Sequence, residues 1–413
     1  MGLAFLAIII LFLIYSSFKW PGITIAYLFL FQIFNNLIFD QVGLQSVKYV
    51  TFIVFLPIVY FKHFSRQKVF EFKKLLFRST ISKVYFLLLF YIMFYTLYVG
   101  TSYETLYLRK FIFPGTVFFI LALYFFNDAA IYKEVVFGVV LFSFLTLLYL
   151  FLFKGISSMT SVSRYDISEE IGIGPISQGR MAGMLCLTIL ILFFNSKKTL
   201  YKISLVLLFC IAFTWLSLTG SRGPTLSLIA VFLAYSYLNK SIFKFSIALV
   251  ILSLVAIPVL IYYGVFELAL FERLTEFSSQ SDIESMKRYR RYLIFFDLPI
   301  GNFIFGLGPG GWGKQIALSD YSFPHNIIIE SILEHGIMGA IFIFTVISTG
   351  FRQFYKRIGK INSNLYMNIL VLWWGYYLLN TMVSGSFIQG NTNFFTLTAI
   401  LACIYNQKNV YAN

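Results

Sequence analysis

Residues 202–240 read KISLVLLFCIAFTWLSLTGSRGPTLSLIAVFLAYSYLNK, and the pattern of this stretch decides the fold. From Ile203 to Leu218 the only polar side chains are Ser204, Thr214 and Ser217. The turn Thr219-Gly220-Ser221-Arg222-Gly223 follows, then a second apolar run over 224–238 that ends at Lys240. Each run is continuous and lacks the alternation of a barrel strand. In lipid such a run can satisfy its backbone only as a helix. Lysines stand at the two outer ends of this pair of runs and an arginine stands at the turn. The hairpin therefore has a lysine-bearing end and an arginine-bearing end.

The same texture extends over the chain. Of 413 residues, 59% are hydrophobic and 12% charged, and mean hydropathy is +0.82. A soluble domain carries about a quarter charged residues, so a water-soluble enzyme, a secreted disulfide scaffold and a nucleic-acid module are all excluded. Apolar runs occupy 3–18, 22–39, 48–62, 83–100, 109–126, 134–153, 181–195, 202–218, 224–238, 244–264, 326–350, 366–383 and 391–406. At about 20 residues per crossing these give 12 or 13 spans. The expected fold class is an all-α polytopic membrane protein with a large outer loop. The first run lacks a basic leader and reads as a retained helix. Cys186, Cys210 and Cys403 lie inside apolar runs and form no disulfide or metal pattern.

The formal charge of +15 reflects sidedness rather than nucleic-acid binding, because lysine and arginine accumulate on cytoplasmic loops. The connector 62–83 holds Lys62, Arg66, Lys68, Lys73, Lys74, Arg78 and Lys83 and is expected inside. Alternating from it puts Lys197, Lys198, Lys202, Lys240, Lys244, Arg352, Lys356, Arg357 and Lys360 on the same side. It puts 154–180, the turn 219–223 and 265–325 outside. Those outer segments carry Arg164, Arg180, Arg222, Arg273, Lys287, Arg288, Arg290 and Arg291 against the usual bias. A solvated loop or anionic lipid headgroups could account for any one of them. As a set they suit an anionic ligand, since guanidinium offers a permanent charge and a donor fork matched to phosphate.

The outer segment ends in Phe323-Pro324-His325-Asn326, with Gly336 and Gly339 in the apolar run beyond. Asn326 is placed to cap a helix whose start carries His325 at the membrane boundary. The two glycines would let a neighbouring helix or lipid chain approach closely. Glu330 and Glu334 stand one turn apart on that helix, where one can pair with an outer arginine or orient His325. Upstream, Gly306, Gly308, Gly310, Gly311 and Gly313 crowd one window, as a flexible loop or as backbone N–H groups turned to an anion or sugar.

Taken in order, Ser221-Arg222-Gly223, Arg288 with Tyr292, Gly306-Leu307-Gly308, and His325-Asn326 followed by Gly336 and Gly339 resemble the bacterial O-antigen ligase and Wzy-type O-antigen polymerase superfamily. Arg290 stands sixteen residues before Gly306, similar to the spacing in polymerase loops. The resemblance is detailed over 219–345 and topological before that. It divides the chain into N-terminal membrane helices over 1–218, with the outer loop 154–180, and a ligase/polymerase-type region over 219–413. It implies a C-type glycosyltransferase (GT-C-like) body in the bacterial inner membrane, with a metal-independent, cofactor-free active site on the outer face. The implied partners are an undecaprenyl-diphosphate-linked glycan and the lipid bilayer, with no nucleic acid and with room for a chain-length regulator.

Residue by residue, the resemblance makes His325 the base for an acceptor hydroxyl and Glu330 its helper or substitute. Arg222, Arg288, Arg290 and Arg291 become the diphosphate ligands. Arg164, Arg180, Tyr292, Gly306 and Gly308 fall to the glycan and the loop. The leading expectation is a repeat-unit polymerase for a surface polysaccharide. An O-antigen ligase acting on lipid A-core is the alternative, and a lipid-linked oligosaccharide flippase is a more remote one.

Overall fold

The computed structural model describes residues 2–35, 65–99, 115–126, 129–154, 175–240, 295–296, 298–313, 324–358, 364–384 and 392–406. Every regular element among them is helical. Five helices are long and apolar enough to cross a membrane: Thr80–Tyr98, Ala130–Leu148, Ile176–Asn195, Thr199–Leu218 and Ile327–Arg357. A shorter apolar helix runs over Asn393–Tyr405. The chain is a multi-pass, all-α membrane protein. It divides into two compact units, each discontinuous in sequence.

The first unit comprises 1–65, 128–276 and 358–370. Its described helices are α1 (Gly2–Lys19), α2 (Pro21–Asn35), α6 (Ala129–Lys154), α7 (Pro175–Asn195), α8 (Thr199–Leu218) and α9 (Arg222–Leu238). Helices in lipid gain little from hydrophobic transfer and associate through small residues and interhelical polar contacts. Both devices join α2 to α6. A Cβ on Gly138 would stand 2.6 Å from the Ala26 Cβ, so only glycine permits the crossing. One turn up α6, Glu134 Oε2 accepts a hydrogen bond from Gly22 N at 2.9 Å. It thereby satisfies a donor at the start of α2 that the helix itself leaves open.

Helix α7 forms the core of this unit, buried from Gln178 to Ile191, and packs on α2, α6, α8 and α9. Its register on α9 is fixed at both ends. Near one end a Cβ on Gly179 would stand 3.0 Å from the Ser221 Cβ and from Thr219 Oγ1. At the other, Asn195 Nδ2 donates to the Tyr235 hydroxyl at 3.2 Å. The two helices therefore run side by side in the same direction.

The second unit comprises 66–127, 277–357 and 371–413. It holds α3 (Arg66–Arg78), α4 (Thr80–Val99), α5 (Val117–Phe125), α10 (Ile300–Phe305), α11 (Ile327–Arg357), most of α12 (Leu365–Ser384) and α13 (Thr392–Asn406). Tyr85 on α4 is its hub. The ring stacks on Phe119 at 3.9 Å and meets Phe342 and Phe395 edge-on, while the hydroxyl shares a 3.0 Å hydrogen bond with Thr116. A buried tyrosine needs such a partner for its hydroxyl. Farther along α11, Gly350 leaves the space that the Trp374 ring occupies.

Candidate active site

The run expected to be one helix over 326–350 is broken. Gly336 has φ 55 and ψ −139, which splits α11 into a short segment over 327–335 and a long one over 337–357. The first covers nine residues and is far too short to cross a bilayer. The second covers twenty-one and suffices alone. In a straight helix, residues 331 and 339 would stand about 12 Å apart along the axis. Instead the Ser331 hydroxyl donates to the Gly339 carbonyl at 3.0 Å. The short segment is thus folded against the start of the long one. Gly339 admits the Ser331 carbonyl of its own chain, where the sequence suggested a neighbouring helix or lipid chain.

The break is supported by the glycine-rich stretch. A continuous helix would give the Leu333 carbonyl a partner at residue 337, four positions on. Here Leu307 N donates to Leu333 O at 2.7 Å. Gly306 has φ 76 and ψ 164, and its backbone lies directly on Glu334 and Gly336. Gly308, at φ 85, leaves room for the Tyr95 ring. Two tyrosines of α4 hold this turn: Tyr91 donates to Phe305 O at 2.7 Å and Tyr95 to Leu307 O at 3.3 Å. Residues 307–313 are buried. Gly306 and Gly308 therefore serve close packing, and the Leu307 and Gly311 N–H groups are taken by Leu333 O and Gly308 O.

At the head of the short segment the expected cap is present. Asn326 Oδ1 accepts from Ile328 N at 3.0 Å and Ile329 N at 3.2 Å. His325, just before it, is half-buried with φ 60. This is a left-handed conformation that asparagine, aspartate and histidine adopt more readily than other side chains. Residues held there cluster at functional sites. Below it, Glu330, Glu334 and His335 are all buried, at 2%, 2% and 0% exposure. The His335 ring stands 6.0 Å from that of Tyr91. Two carboxyls and two imidazoles on an eleven-residue stretch of an apolar helix are costly unless used or paired.

In the first unit, the α7–α9 register places two of the expected arginines at one end of the helix pair. Arg180 follows Gly179, and Arg222 follows the Ser221 on which Gly179 packs. Both stand at the same end, opposite Lys197, Lys198, Lys202 and Lys240. Arg180 is buried at 6% exposure and Arg222 is half-buried. Arg164, Arg288, Arg290, Arg291 and Tyr292 lie outside the described residues.

Residues 205–344 match the family model Wzy_C, described as O-antigen ligase. Over this segment the chain is similar to the O-antigen ligase family, which supports the O-antigen ligase and polymerase resemblance. No curated protein and no solved structure matches the chain. The O-antigen ligase match contains Arg222, Arg288, Arg290, Arg291, Tyr292, Gly306, Gly308, His325 and Glu330. Arg164 and Arg180 fall before it.

Tyr91 and Tyr95 also precede the match, and sequence reasoning missed them, as it missed His335. Their only sequence signal is spacing: two hydroxyl-bearing rings one turn apart in an apolar span.

Proposed function

We propose that this protein is a surface-polysaccharide polymerase of the cytoplasmic membrane. It would transfer a glycan from undecaprenyl diphosphate to the non-reducing end of another lipid-linked repeat unit, working at the outer face. The observation that carries this reading is His325, held left-handed at the capped start of the short segment before Gly336, inside the O-antigen ligase match.

The acceptor hydroxyl attacks the anomeric carbon of the donor sugar, and its proton passes to the His325 imidazole, a base suited to neutral pH. The bond from that carbon to the diphosphate oxygen breaks, and undecaprenyl diphosphate leaves with the electron pair. Guanidinium groups stabilise the charge gathering on the leaving group; Arg222, Arg288, Arg290 and Arg291 are assigned this work. Glu330 orients the imidazole or accepts its proton. Arg180 and Arg164, with Tyr292, contact the glycan. A chain-length regulator is the expected protein partner.

The description of the matched family favours a second reading, an O-antigen ligase that delivers the finished glycan to lipid A-core. Purified protein in proteoliposomes separates the two. With an undecaprenyl-diphosphate-linked repeat unit as the only substrate, a polymerase lengthens the lipid-linked glycan. A ligase leaves it unchanged until lipid A-core is added. Transbilayer movement of the lipid with no transfer in either assay would contradict both and restore the flippase.

A further inference from the structure

The sequence marks 62–83 only as a basic connector, but the structure makes most of it helical and leaves one face of that helix exposed. On α3 the exposed residues are Gln67, Phe70, Lys73, Lys74, Phe77 and Arg78. This three-and-four spacing places them along a single stripe. Phe70 and Phe77 lie on its midline, two turns apart, and are 69% and 68% exposed. Lys73 borders the midline on one side, and Lys74 and Arg78 border it on the other. The opposite face is occupied. Leu75 is buried, Phe72 meets Tyr124 edge-on at 5.8 Å, and α3 packs on α4, α5 and α13.

The location of α3 relative to the membrane follows from the chain. Only Ser79 separates α3 from α4, whose membrane-crossing stretch begins at Thr80. Ser79 closes the last turn of α3 and opens the first turn of α4: Ser79 N donates to Leu75 O and Lys83 N to Ser79 O, each at 3.0 Å. The free face of α3 thus stands at the level where the bilayer ends. An apolar midline flanked by cations on long stems suits a helix lying in the headgroup layer. The rings enter the acyl boundary and the cations reach lipid phosphates.

We propose that the Phe70–Phe77 face of α3 docks on the anionic phospholipid surface of the protein's own bilayer, with Lys73, Lys74 and Arg78 paired to lipid phosphates. A juxtamembrane cation on an anionic leaflet shifts such a docking equilibrium about fivefold, so three act together at roughly a hundredfold. A water-soluble protein partner for the same face is the competing occupant.

Nitroxide labels at Phe70→Cys and Phe77→Cys in the full-length protein, carrying Cys210→Ser, test this by collision with dissolved oxygen and with a water-soluble nickel chelate. In vesicles containing phosphatidylglycerol, both labels are expected to be reached by oxygen and shielded from nickel. In phosphatidylcholine alone, or with Lys73→Glu, Lys74→Glu and Arg78→Glu combined, nickel access is expected to rise at least severalfold. Equal, high nickel access in both lipids would overturn the proposal and point to a face in water. Equal, low access in both would also overturn it, because lipid charge would then play no part. Using two label positions keeps the test decisive if one variant fails to fold.

Discussion

Gly306 and Gly336 meet backbone to backbone where α11 breaks. A Cβ on either one would stand 2.7 Å from the other's nitrogen. The reciprocity means that neither residue can carry a side chain without separating the glycine-rich turn from the helix that bears His325. Both also occupy backbone conformations, φ 76 with ψ 164 and φ 55 with ψ −139, close to a region that is essentially glycine-only.

Gly306→Ala and Gly336→Ala are each expected to cost at least about 1–3 kcal/mol from backbone strain, with the steric conflict added. Thermal unfolding in detergent reads this directly, and glycan transfer should fall in both. Gly301→Ala is the control, because a Cβ there meets nothing within 4 Å.

The tyrosine clamp is a separate test. Tyr91→Phe and Tyr95→Phe keep the rings and remove the hydroxyls that hold Phe305 O and Leu307 O. A loss of about 1 kcal/mol each is expected, seen as faster limited proteolysis over 299–313 and a several-fold drop in transfer. Unchanged cleavage would mean that the turn holds without α4.

Removing the cap should weaken the short segment without touching chemistry. Asn326→Ala is expected to cost about 1 kcal/mol, whereas Asn326→Asp or Asn326→Ser should stay near wild type. Stability and transfer, measured together, should fall and recover in parallel across the three variants.

Arg222→Ala should abolish transfer while the protein still inserts, and Arg222→Lys should restore little, since an ammonium lacks the bidentate fork. Turnover against concentration of lipid-linked donor is the readout. Full activity in the alanine variant would remove Arg222 from the diphosphate site.

Much of this was legible from composition and spacing. The multi-pass helical class follows from unbroken apolar runs such as 203–218, and the Asn326 cap from Pro-His-Asn before an apolar stretch. The arginine-bearing end of 202–240 gains a physical counterpart in the packing of Gly179 on Ser221. The break at Gly336 was hidden because the apolar pattern runs straight through it. What ends the helix is a distant backbone, the Leu307 N–H on Leu333 O. The clamp was hidden for the same reason, since Tyr91 reaches a carbonyl 214 positions away. In α3 the basic character was plain. The two exposed phenylalanines became meaningful only once the opposite face was seen to be packed.

His325 is proposed to perform the transfer chemistry, and the sharpest test keeps its backbone conformation while removing the base. Asparagine tolerates the left-handed region, so His325→Asn is the variant to place in a deletion strain beside wild type, with surface glycan sized on a gel. Deletion is expected to leave a single repeat unit, wild type to restore the ladder, and His325→Asn, at wild-type membrane levels, to leave the single unit. A full ladder from His325→Asn would contradict the assignment.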